Sequence, residues 1–473
     1  MAFLFGLMKV TNGSGFVVVI PIVIWGLIAR KTESLFFWLL MSVCAIIANG
    51  YIIPKNAVFA WSQRSLMLGL GTCMAINVMV YPKHIVMKPY LGILFYIVFM
   101  FFSSAQGWCP PISFLKLILF TVVYFSYFGV ANQVGINPQV STKRVRSVML
   151  AVSILFVFGS VAVIPFPSLS QLRHEDFVDN PFTLSLFIGM TNHSQCLGPV
   201  VSTISVVVFS DLLFAVKKWD VLYLLILLCC PYLVYKTSSR TGMGAYLLGM
   251  LFVVYLFMQA RGVGSRWKSR AMTAIMVFLL GLIFAMACLP GVQKSARRFL
   301  LKTVESSGSS KVTSEVVLST RQGLIDKSLY YFRKSPVFGN GFQVSEKMVG
   351  LKIKGVTSIL SAPVEKGVWV SAVLEEGGII GWFLFVCFLF SCIVISIRRR
   401  AYTGAACLVV CMLTNLGEFT FFSMSYTGGF VWAMVFVGLA LDIRKMKDEN
   451  AAIQREMMLR EMNCMAGNVP FRR

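Results

Sequence analysis

Residues 366–397 read KGVWVSAVLEEGGIIGWFLFVCFLFSCIVISI, an apolar run that begins just after Lys366. A helix of about 20 apolar residues is long enough to cross about 30 Å of hydrocarbon, so the stretch predicts a transmembrane helix. Two adjacent carboxylates, Glu375 and Glu376, fall inside the run. Because charge is costly in a bilayer, we expect these carboxylates to have a structural or catalytic use.

Similar apolar runs recur along the whole chain of 473 residues, of which 57% are hydrophobic and 13% charged. Soluble domains are about 25% charged, and the mean hydropathy here is +0.78. We therefore predict an all-α polytopic membrane protein with about 12 or 13 transmembrane helices. The predicted spans are approximately 14–30, 34–53, 65–81, 90–105, 114–130, 147–165, 185–215, 221–236, 242–259, 271–289, 367–397, 401–420 and 426–443. Pro199 predicts a break in the span 185–215.

The order of runs and loops divides the chain into five segments. They are N-terminal transmembrane helices (1–180), transmembrane helices with an SSRTG motif (181–289), an external basic loop with short amphipathic helices (290–366), C-terminal transmembrane helices (367–443) and a tail (444–473). The N-terminal MAFLFGLMKVTNGSG lacks a basic region followed by a small-residue cleavage site, so we expect no cleaved signal peptide.

The formal net charge of +24 is interpreted as a topology signal, and we expect no nucleic-acid partner. One set of short loops holds nineteen basic residues and the opposite set holds five. The positive-inside rule therefore places the first set and the C-terminus in the cytoplasm. Thirteen spans would put the N-terminus outside, and twelve would put it inside. The basic-rich set contains Lys143, Arg144, Arg146, the arginines 398–400, Arg444, Lys445 and Lys447, among others.

Cysteine and histidine usage gives no indication of a metal or a disulfide framework. The twelve cysteines form no CxxC pair and lie mostly in apolar runs, which is typical of small core residues. Only three histidines are present, so we expect no metal site and no cofactor.

The loop 290–366 carries thirteen Lys or Arg against five Asp or Glu. It is either a solvated loop with incidental lysines or a basic surface for an anionic ligand. Within it, Leu324, Ile325, Leu329 and Phe332 have helical spacing, and the helix should end before Pro336. Glycines 339 and 341 then allow a tight or mobile turn. The unit is typical of a lid over a membrane-surface site, or equally of a structural plug.

The stretch KTSSRTGMGAYLLG, 236–249, places an arginine at the start of a predicted helix. Ser238 or Ser239 is a good N-cap, which puts Arg240 in or beside the first helical turn. A cation there opposes the helix dipole unless an anion joins it. The arginine, the dipole and the free N–H groups together predict an anion site. The alternative is an interfacial arginine that reaches lipid phosphate.

Further basic residues and one acid flank the membrane in the external loop. Arg321 begins the amphipathic helix, and Arg297 and Arg298 lie close to a membrane exit, where they could contact lipid headgroups. Glu365 lies just before the next span, where a partly desolvated carboxylate could act as a general base. Lys366 beside it could hold that carboxylate ionised or bind phosphate.

Glu375 and Glu376 are expected two to three helical turns beyond Glu365, roughly 12–16 Å along the helix. Adjacent helix positions point about 100° apart, so we expect the two carboxylates not to face one partner. One would face a cavity and the other a basic neighbour, in a structural ion pair or in catalysis. The glycines 377, 378 and 381 predict close helix packing.

Two more polar residues lie near the outer helix ends. His193 lies in GMTNHSQCLGPV and Glu418 in NLGEFTF. Each is either a buried, hydrogen-bonded residue or part of a site.

The order of these motifs resembles the superfamily of O-antigen ligases and Wzy-type polysaccharide polymerases. SSRTG opens a membrane helix, an external loop with Arg321 and SPVFGNGF follows, and PVEKG…LEEGGIIG leads into the next span. GMTNHSQCLG is similar to the polar motif that often precedes SSRTG in these proteins. The resemblance covers roughly residues 180–440, and the N-terminal spans match only in hydrophobicity.

The resemblance implies a GT-C-like, inverting, metal-independent glycosyltransferase of the bacterial inner membrane. The donor would be an undecaprenyl-pyrophosphate-linked glycan at the periplasmic face, and the acceptor a glycan or a lipid-linked glycan. Arg240 and Arg321 would stabilise the departing pyrophosphate, with Lys366, Arg297 and Arg298 as further phosphate-binding candidates, and Glu365 would be the base. Ligases of this group use a loop histidine where this chain has Glu365, which favours a polymerase of O-antigen, capsule or exopolysaccharide.

Other classes of protein stay open at this point. A ligase to lipid A-core is the nearest alternative, and a flippase for lipid-linked oligosaccharide would explain charges in the membrane without catalysis. A structural partner in an envelope complex would need no arginine at a helix N-terminus. Membrane lipids are expected partners, and the sequence leaves open whether a chain-length regulator binds.

Overall fold

The computed structural model describes residues 7–29, 32–52, 54–66, 69, 84–136, 141–171, 187–214, 221–237, 239–260, 314–348, 366–417, 419–424 and 427–465. Within these ranges the regular elements are helices, and the only β pairings are two isolated bridges. The predicted all-α class is confirmed. The predicted spans 65–81 and 271–289 lie almost wholly outside the described residues.

Twelve helices of the described ranges position the rest of the molecule. They are α1 (Val19–Ile28), α2 (Thr32–Ile47), α3 (Ile93–Gln106), α4 (Pro110–Ile136), α5 (Thr142–Ser153), α6 (Ser194–Phe214), α7 (Val221–Lys236), α8 (Arg240–Ala260), α9 (Ser314–Lys334), α10 (Trp369–Arg398), α11 (Tyr402–Thr414) and α12 (Thr427–Met465). A 3₁₀ segment, Ile85–Gly92, runs directly into α3, and a π segment, Ile154–Phe158, extends α5.

Seven described helices are long and apolar enough to cross a membrane. They are Ile85–Gln106, Pro110–Gly135, Thr142–Ala162, Gln195–Phe214, Arg240–Ala260, Trp369–Arg398 and Thr427–Met462. The segments Ser14–Trp25, Val221–Lys236 and Tyr402–Thr414 are shorter apolar helices. Most of the predicted spans therefore coincide with apolar helices, which confirms a polytopic membrane architecture.

The predicted break in the span 185–215 is wrong in position. The helix α6 begins at Ser194, and Pro199 lies inside it. Residues 187–193 before the helix form a bridge and turns. Pro199 lacks the N–H group that would bond to the carbonyl of residue 195, and the helix continues past it.

Contacts between helix ends define one end of the bundle, which we call the basic end. Arg146 binds Asp211 through two hydrogen bonds of 2.6 and 3.0 Å. Lys445 donates to the carbonyl of Phe214. Arg398 ends α10 and Arg399 and Arg400 follow it close by. The basic loops at 143–146, 398–400 and 444–447, which the structure describes, therefore converge at this end.

The opposite end, which we call the polar end, is joined by backbone bonds and close contacts. The Trp369 N–H at the start of α10 donates to the Asn415 carbonyl after α11, at 3.1 Å. The Trp108 N–H between α3 and α4 donates to the Asn340 carbonyl, also at 3.1 Å. Between the two ends the core is aromatic, with Tyr124 against Trp432 at 5.3 Å between ring centroids.

Candidate functional site

Helix α10 is broken at Gly378, whose φ of 61° and ψ of −163° are not helical. In a continuous helix the Glu375 carbonyl would accept from the N–H group four residues later. Instead the Ile379 N–H donates to the Pro336 carbonyl at 2.8 Å, and the Glu375 carbonyl accepts from the Asn340 N–H at 2.9 Å. The break thus exposes backbone groups within an apolar helix, and another segment satisfies them.

That segment is the turn 335–343, which we call the plug. Its Gly341 N–H donates to the Glu376 carbonyl at 3.1 Å, and Ser103 of α3 donates to the same carbonyl at 2.8 Å. Gly339 has φ +73°, and a Cβ there would lie 2.3 Å from the backbone carbonyl oxygen of Glu376. A Cβ on Gly378 would lie 2.3 Å from the Val337 oxygen. Two glycine-rich stretches therefore meet backbone to backbone, which only glycine permits.

The second half of the plug, residues 339–343, is buried in the bundle, whereas Val337 and Phe338 are exposed. Phe342 is fully buried and lies 4.9 Å from Phe422 and 5.6 Å from Phe120 between ring centroids. Its N–H donates to Ser113 of α4 at 2.7 Å, and Lys116 donates to the Gln343 carbonyl at 3.1 Å. The sequence predicts either a tight or a mobile turn here, and the structure shows a tight turn. The burial of residues 339–343 matches a structural plug.

The amphipathic helix before the plug is confirmed as α9. It ends at Lys334, before Pro336. Its last turn carries two basic residues, whose positive charge interacts favourably with the negative end of the helix dipole. Leu324, Ile325, Leu329 and Phe332 are half-buried on the face that packs against α10.

The prediction that Glu375 and Glu376 cannot share a partner is wrong. The Lys366 ammonium lies 3.0 Å from one Glu375 carboxylate oxygen and 3.1 Å from one of Glu376. All three side chains are at least 96% buried. Helix α10 begins only at Trp369, so Lys366 lies off the helix and its ammonium can sit between the two carboxylates. Flexible glutamate side chains bridge the 100° between adjacent positions.

A second lysine makes this buried group of charges electrically balanced. Lys116 interacts electrostatically with both Glu376 and Lys366. We call Lys116, Lys366, Glu375 and Glu376 the charge cluster. Burial alone would lower the pKa of Lys366, but the two carboxylates outweigh it and raise the pKa above the ordinary value. Lys366 therefore stays protonated, as a buried cation beside two anions must.

The Tyr96 hydroxyl and the Gln343 amide nitrogen, close to the charge cluster, have no hydrogen-bond partner among the described residues, and both side chains are buried. Tyr96 is within electrostatic range of Glu376. A buried polar atom without a partner is costly, so a water molecule or a ligand hydroxyl would be favourable there.

Arg240 is the first residue of α8, as the sequence predicts. The Ser239 hydroxyl accepts from the Gly242 N–H at 3.1 Å, which confirms Ser239 as the N-cap. The Arg240 side chain is half-buried. Thr241, the next residue, packs directly on Gly417. Gly417 lies two residues after Asn415, whose carbonyl accepts from the first residue of α10. Arg240 and the start of α10 therefore both lie at the polar end.

A second helix N-terminus lies against the first. A Cβ on Gly198 of α6 would lie 2.7 Å from the Ser239 Cβ. His193 precedes α6, and its Nδ1 accepts from the Gln195 N–H at 3.1 Å. His193 is thus a half-buried, hydrogen-bonded cap, one of its two predicted roles. Two helix dipoles therefore bring partial positive charge to the region of Arg240.

The other predicted site residues are only partly described. Glu365, Glu418, Arg297 and Arg298 lie outside the described residues. The prediction that Arg321 begins the amphipathic helix is wrong, because α9 begins at Ser314, seven residues earlier; the Arg321 side chain is not described. Among the residues that the structure describes, no three His, Cys, Asp or Glu side chains form a group that could hold a metal ion.

Sequence reasoning missed several residues of this site. Lys116, Ser103 and Tyr96 come from predicted spans that were assigned no chemistry, and Gln343 follows the predicted turn of the basic loop without having been singled out. A usable signal existed for Lys116, because it is the only charge in the apolar run of α4. For Gln343 and Tyr96 no sequence signal distinguishes them from core residues.

Comparison with known proteins gives no further information. No protein-family model matches the chain, and a search of curated proteins finds no match.

Proposed function

We propose that this protein is a bacterial inner-membrane glycosyltransferase that polymerises undecaprenyl-pyrophosphate-linked oligosaccharide repeat units at the periplasmic face. O-antigen, capsule or exopolysaccharide would be the product, and ligation of O-antigen to lipid A-core is the nearest alternative reaction. The observation that carries the proposal is Arg240 in the first turn of α8, next to the N-terminus of α6. The resemblance of the motif order supports the same function.

The anion that suits this position is a pyrophosphate. A guanidinium forms paired hydrogen bonds with phosphate oxygens, and two helix N-termini add partial positive charge. The leaving group of a polyprenyl-pyrophosphate glycan gains negative charge as the glycosidic bond breaks. Arg240, with Arg321, would stabilise that charge.

The reaction balances without a cofactor. The acceptor hydroxyl oxygen forms a bond to the anomeric carbon, and the bond from that carbon to the pyrophosphate breaks with its electron pair on the pyrophosphate. Glu365 would accept the hydroxyl proton. Lys366 is held by two carboxylates and is not the phosphate ligand in this proposal. Its role is to fix the backbone next to Glu365, so it is a positioning residue.

A lipid-linked oligosaccharide flippase is the second candidate, and one observation favours it. Helix α10 is discontinuous beside charges that α4 and α10 bury in the bundle. Transporters build substrate and ion sites from such broken helices. In this protein the plug closes the break with hydrogen bonds, which favours a fixed scaffold over a moving gate.

The test is complementation of a strain that lacks the gene. We would compare wild type, Arg240→Ala and Arg240→Lys, with Arg455→Ala on the exposed end of α12 as the control. Surface glycan is resolved on a gel, lipid-linked intermediates are extracted, and protein in the membrane is measured by immunoblot. We expect Arg240→Ala to lose long chains, Arg240→Lys to retain part of them, and the control to match wild type.

The outcomes separate the candidates. Single repeats on the final acceptor without long chains indicate a polymerase. Complete polymer that stays on undecaprenyl pyrophosphate indicates a ligase. Repeat units that accumulate on the cytoplasmic side indicate a flippase. Normal glycan from Arg240→Ala at wild-type protein levels would show that the anion-site argument is wrong.

A further inference from the structure

A groove runs along the outside of the bundle between α3, with its preceding 3₁₀ segment, and α10. Its volume is about 760 Å³, and Gly92, Val98, Leu384 and Phe388 contribute to its lining. Both walls belong to helices that are long and apolar enough to cross a membrane. An apolar groove on such a surface faces hydrocarbon, so hydrocarbon chains and not water are its natural contents.

One end of the groove is charged. Among the lining residues that the structure describes, Lys88 is the only charged one, and it is exposed. Ile395 lines the same groove three residues before Arg398, so this end of the groove coincides with the basic end of the bundle. His84, just before Ile85–Gly92, experiences the charges of Arg399 and Lys447. The potential at this end is therefore positive, with no carboxylate among the described lining residues.

The length of the groove corresponds to one leaflet. From Lys88 to Val98 the wall extends about 15 Å at the helical rise per residue. The hydrocarbon core of a bilayer is about 30 Å thick, so this is about the depth of a single leaflet. A chain that lies along the groove would thus place its headgroup beside Lys88. The exposed Ser391 lies between, and its hydroxyl could donate to an ester oxygen.

We propose that this groove is a binding site for an anionic phospholipid, with one acyl chain along the apolar walls and the phosphate on Lys88. The site lies at the basic end, whereas Arg240 lies at the polar end, so it is separate from the proposed glycan site. Basic residues near the surface each contribute about 1 kcal/mol to the attraction of anionic lipid, which corresponds to about fivefold in affinity.

Two substitutions test the two halves of the site. Lys88→Gln removes the headgroup contact. Gly92→Leu fills the groove, and it is sterically acceptable because Gly92 has helical φ and ψ and a Cβ there would meet Phe388 at 3.7 Å. Lys143→Gln, at an exposed lysine of the basic end, controls for charge, and Gly92→Ala controls for the loss of glycine.

The full-length protein, purified in detergent, is mixed with phosphatidylglycerol or phosphatidylcholine, and bound lipid is counted by native mass spectrometry. Wild type and both controls should prefer phosphatidylglycerol. Lys88→Gln should lower that preference about fivefold. Gly92→Leu should lower the retention of both lipids. In parallel, alkylation of the exposed groove residue Cys387 by a maleimide, measured on its peptide, should slow when phosphatidylglycerol is added.

Several results would overturn the proposal. They are equal retention of both lipids by wild type, an unchanged preference in Lys88→Gln, and Cys387 alkylation that ignores lipid. Protection of Cys387 only by a co-purifying protein would equally overturn it, because the groove would then be a protein-docking surface.

Discussion

Lys366 is the residue on which two buried carboxylates depend. Its ammonium lies about equally far from Glu375 and Glu376, at 3.0 and 3.1 Å. Buried ion pairs contribute little net stability compared with apolar side chains, but the loss of one partner leaves an uncompensated charge. The ion pairs therefore hold the segment that precedes α10, which carries Lys366, against the second turn of α10, which carries the two glutamates. They thereby fix where this segment enters the bundle.

We expect Lys366→Met to lower the free energy of unfolding by about 3–5 kcal/mol, because Glu375 and Glu376 lose the cation they share and only Lys116 remains near Glu376. Unfolding in mixed detergent micelles, followed by circular dichroism, measures this. Lys327→Met, at an exposed position of α9, is the matched control. Adding Glu375→Gln to Lys366→Met should recover much of the loss, because Glu376 then keeps Lys116 as its counter-charge, and no recovery would contradict an electrostatic origin.

His84 has a pKa below its ordinary value of 6.5, first because it is partly buried and then because Lys447 and Arg399 are near. Since the folded pKa is lower than the unfolded one, the native state binds fewer protons in this window. Stability is thus fully present above pH 6.5 and falls as the pH drops through the folded pKa. Histidine NMR titration of the folded protein should show the lowered pKa of His84. Lys447→Gln should raise that pKa, while Lys143→Gln should leave it unchanged.

At the scale of elements, the break in α10 and the plug form one unit. Gly378 supplies the break, and the plug supplies hydrogen bonds to the freed groups of Glu375, Glu376 and Ile379. The other two glycines of this stretch have the predicted role. Gly377 and Gly381 pack closely on Met100 and Phe99 of α3. The same glycine-rich motif thus allows α10 to pack closely on α3 and allows the plug to approach the backbone of α10.

Gly378→Ala should destabilise the protein strongly. The backbone strain alone amounts to roughly 1–3 kcal/mol, and the new Cβ would also collide with the Val337 oxygen. Gly323→Ala is the contrasting variant, because Gly323 lies in α9 with open space around its Cβ position. It should raise the free energy of unfolding by roughly 0.5–1 kcal/mol. Equal effects of the two substitutions in the same unfolding assay would argue against the close approach.

At the scale of the whole molecule, helix ends with different chemistry collect at opposite ends of the bundle. At the basic end Arg146 binds Asp211, and Lys445 donates to a backbone carbonyl. The polar end holds Ser239, Arg240 and Lys366. Helices of membrane-spanning length separate the two ends. We therefore expect each end to lie at its own aqueous face.

Reporter fusions test which face is which. Alkaline phosphatase is active outside the cytoplasm, and a fluorescent protein folds efficiently inside it. We expect phosphatase activity from a fusion at residue 239 and fluorescence from fusions after residues 400 and 465, because basic loops stay in the cytoplasm. A fusion at the N-terminus then decides between twelve and thirteen spans. The reverse pattern at 239 and 400 would exclude a periplasmic glycan site at Arg240.

The sequence by itself determined the class of the protein, most helix positions, a cap at Ser238 or Ser239, the place of Arg240 and the end of α9 before Pro336. These properties follow from composition and from residues within a few positions of each other. It left the start of α6 uncertain, because proline position alone does not reveal a helix start.

Only the tertiary structure decided that Lys366 binds both glutamates, that Lys116 joins them, and that the plug closes the break in α10. Each of these contacts depends on where separate helices lie in space. Lys116 and Glu376 are far apart in the sequence and share no periodicity, so nothing local encodes their approach. Hydrophobic patterning reports which face of a helix is apolar, whereas buried polar groups are satisfied by whichever segment the packing brings to them.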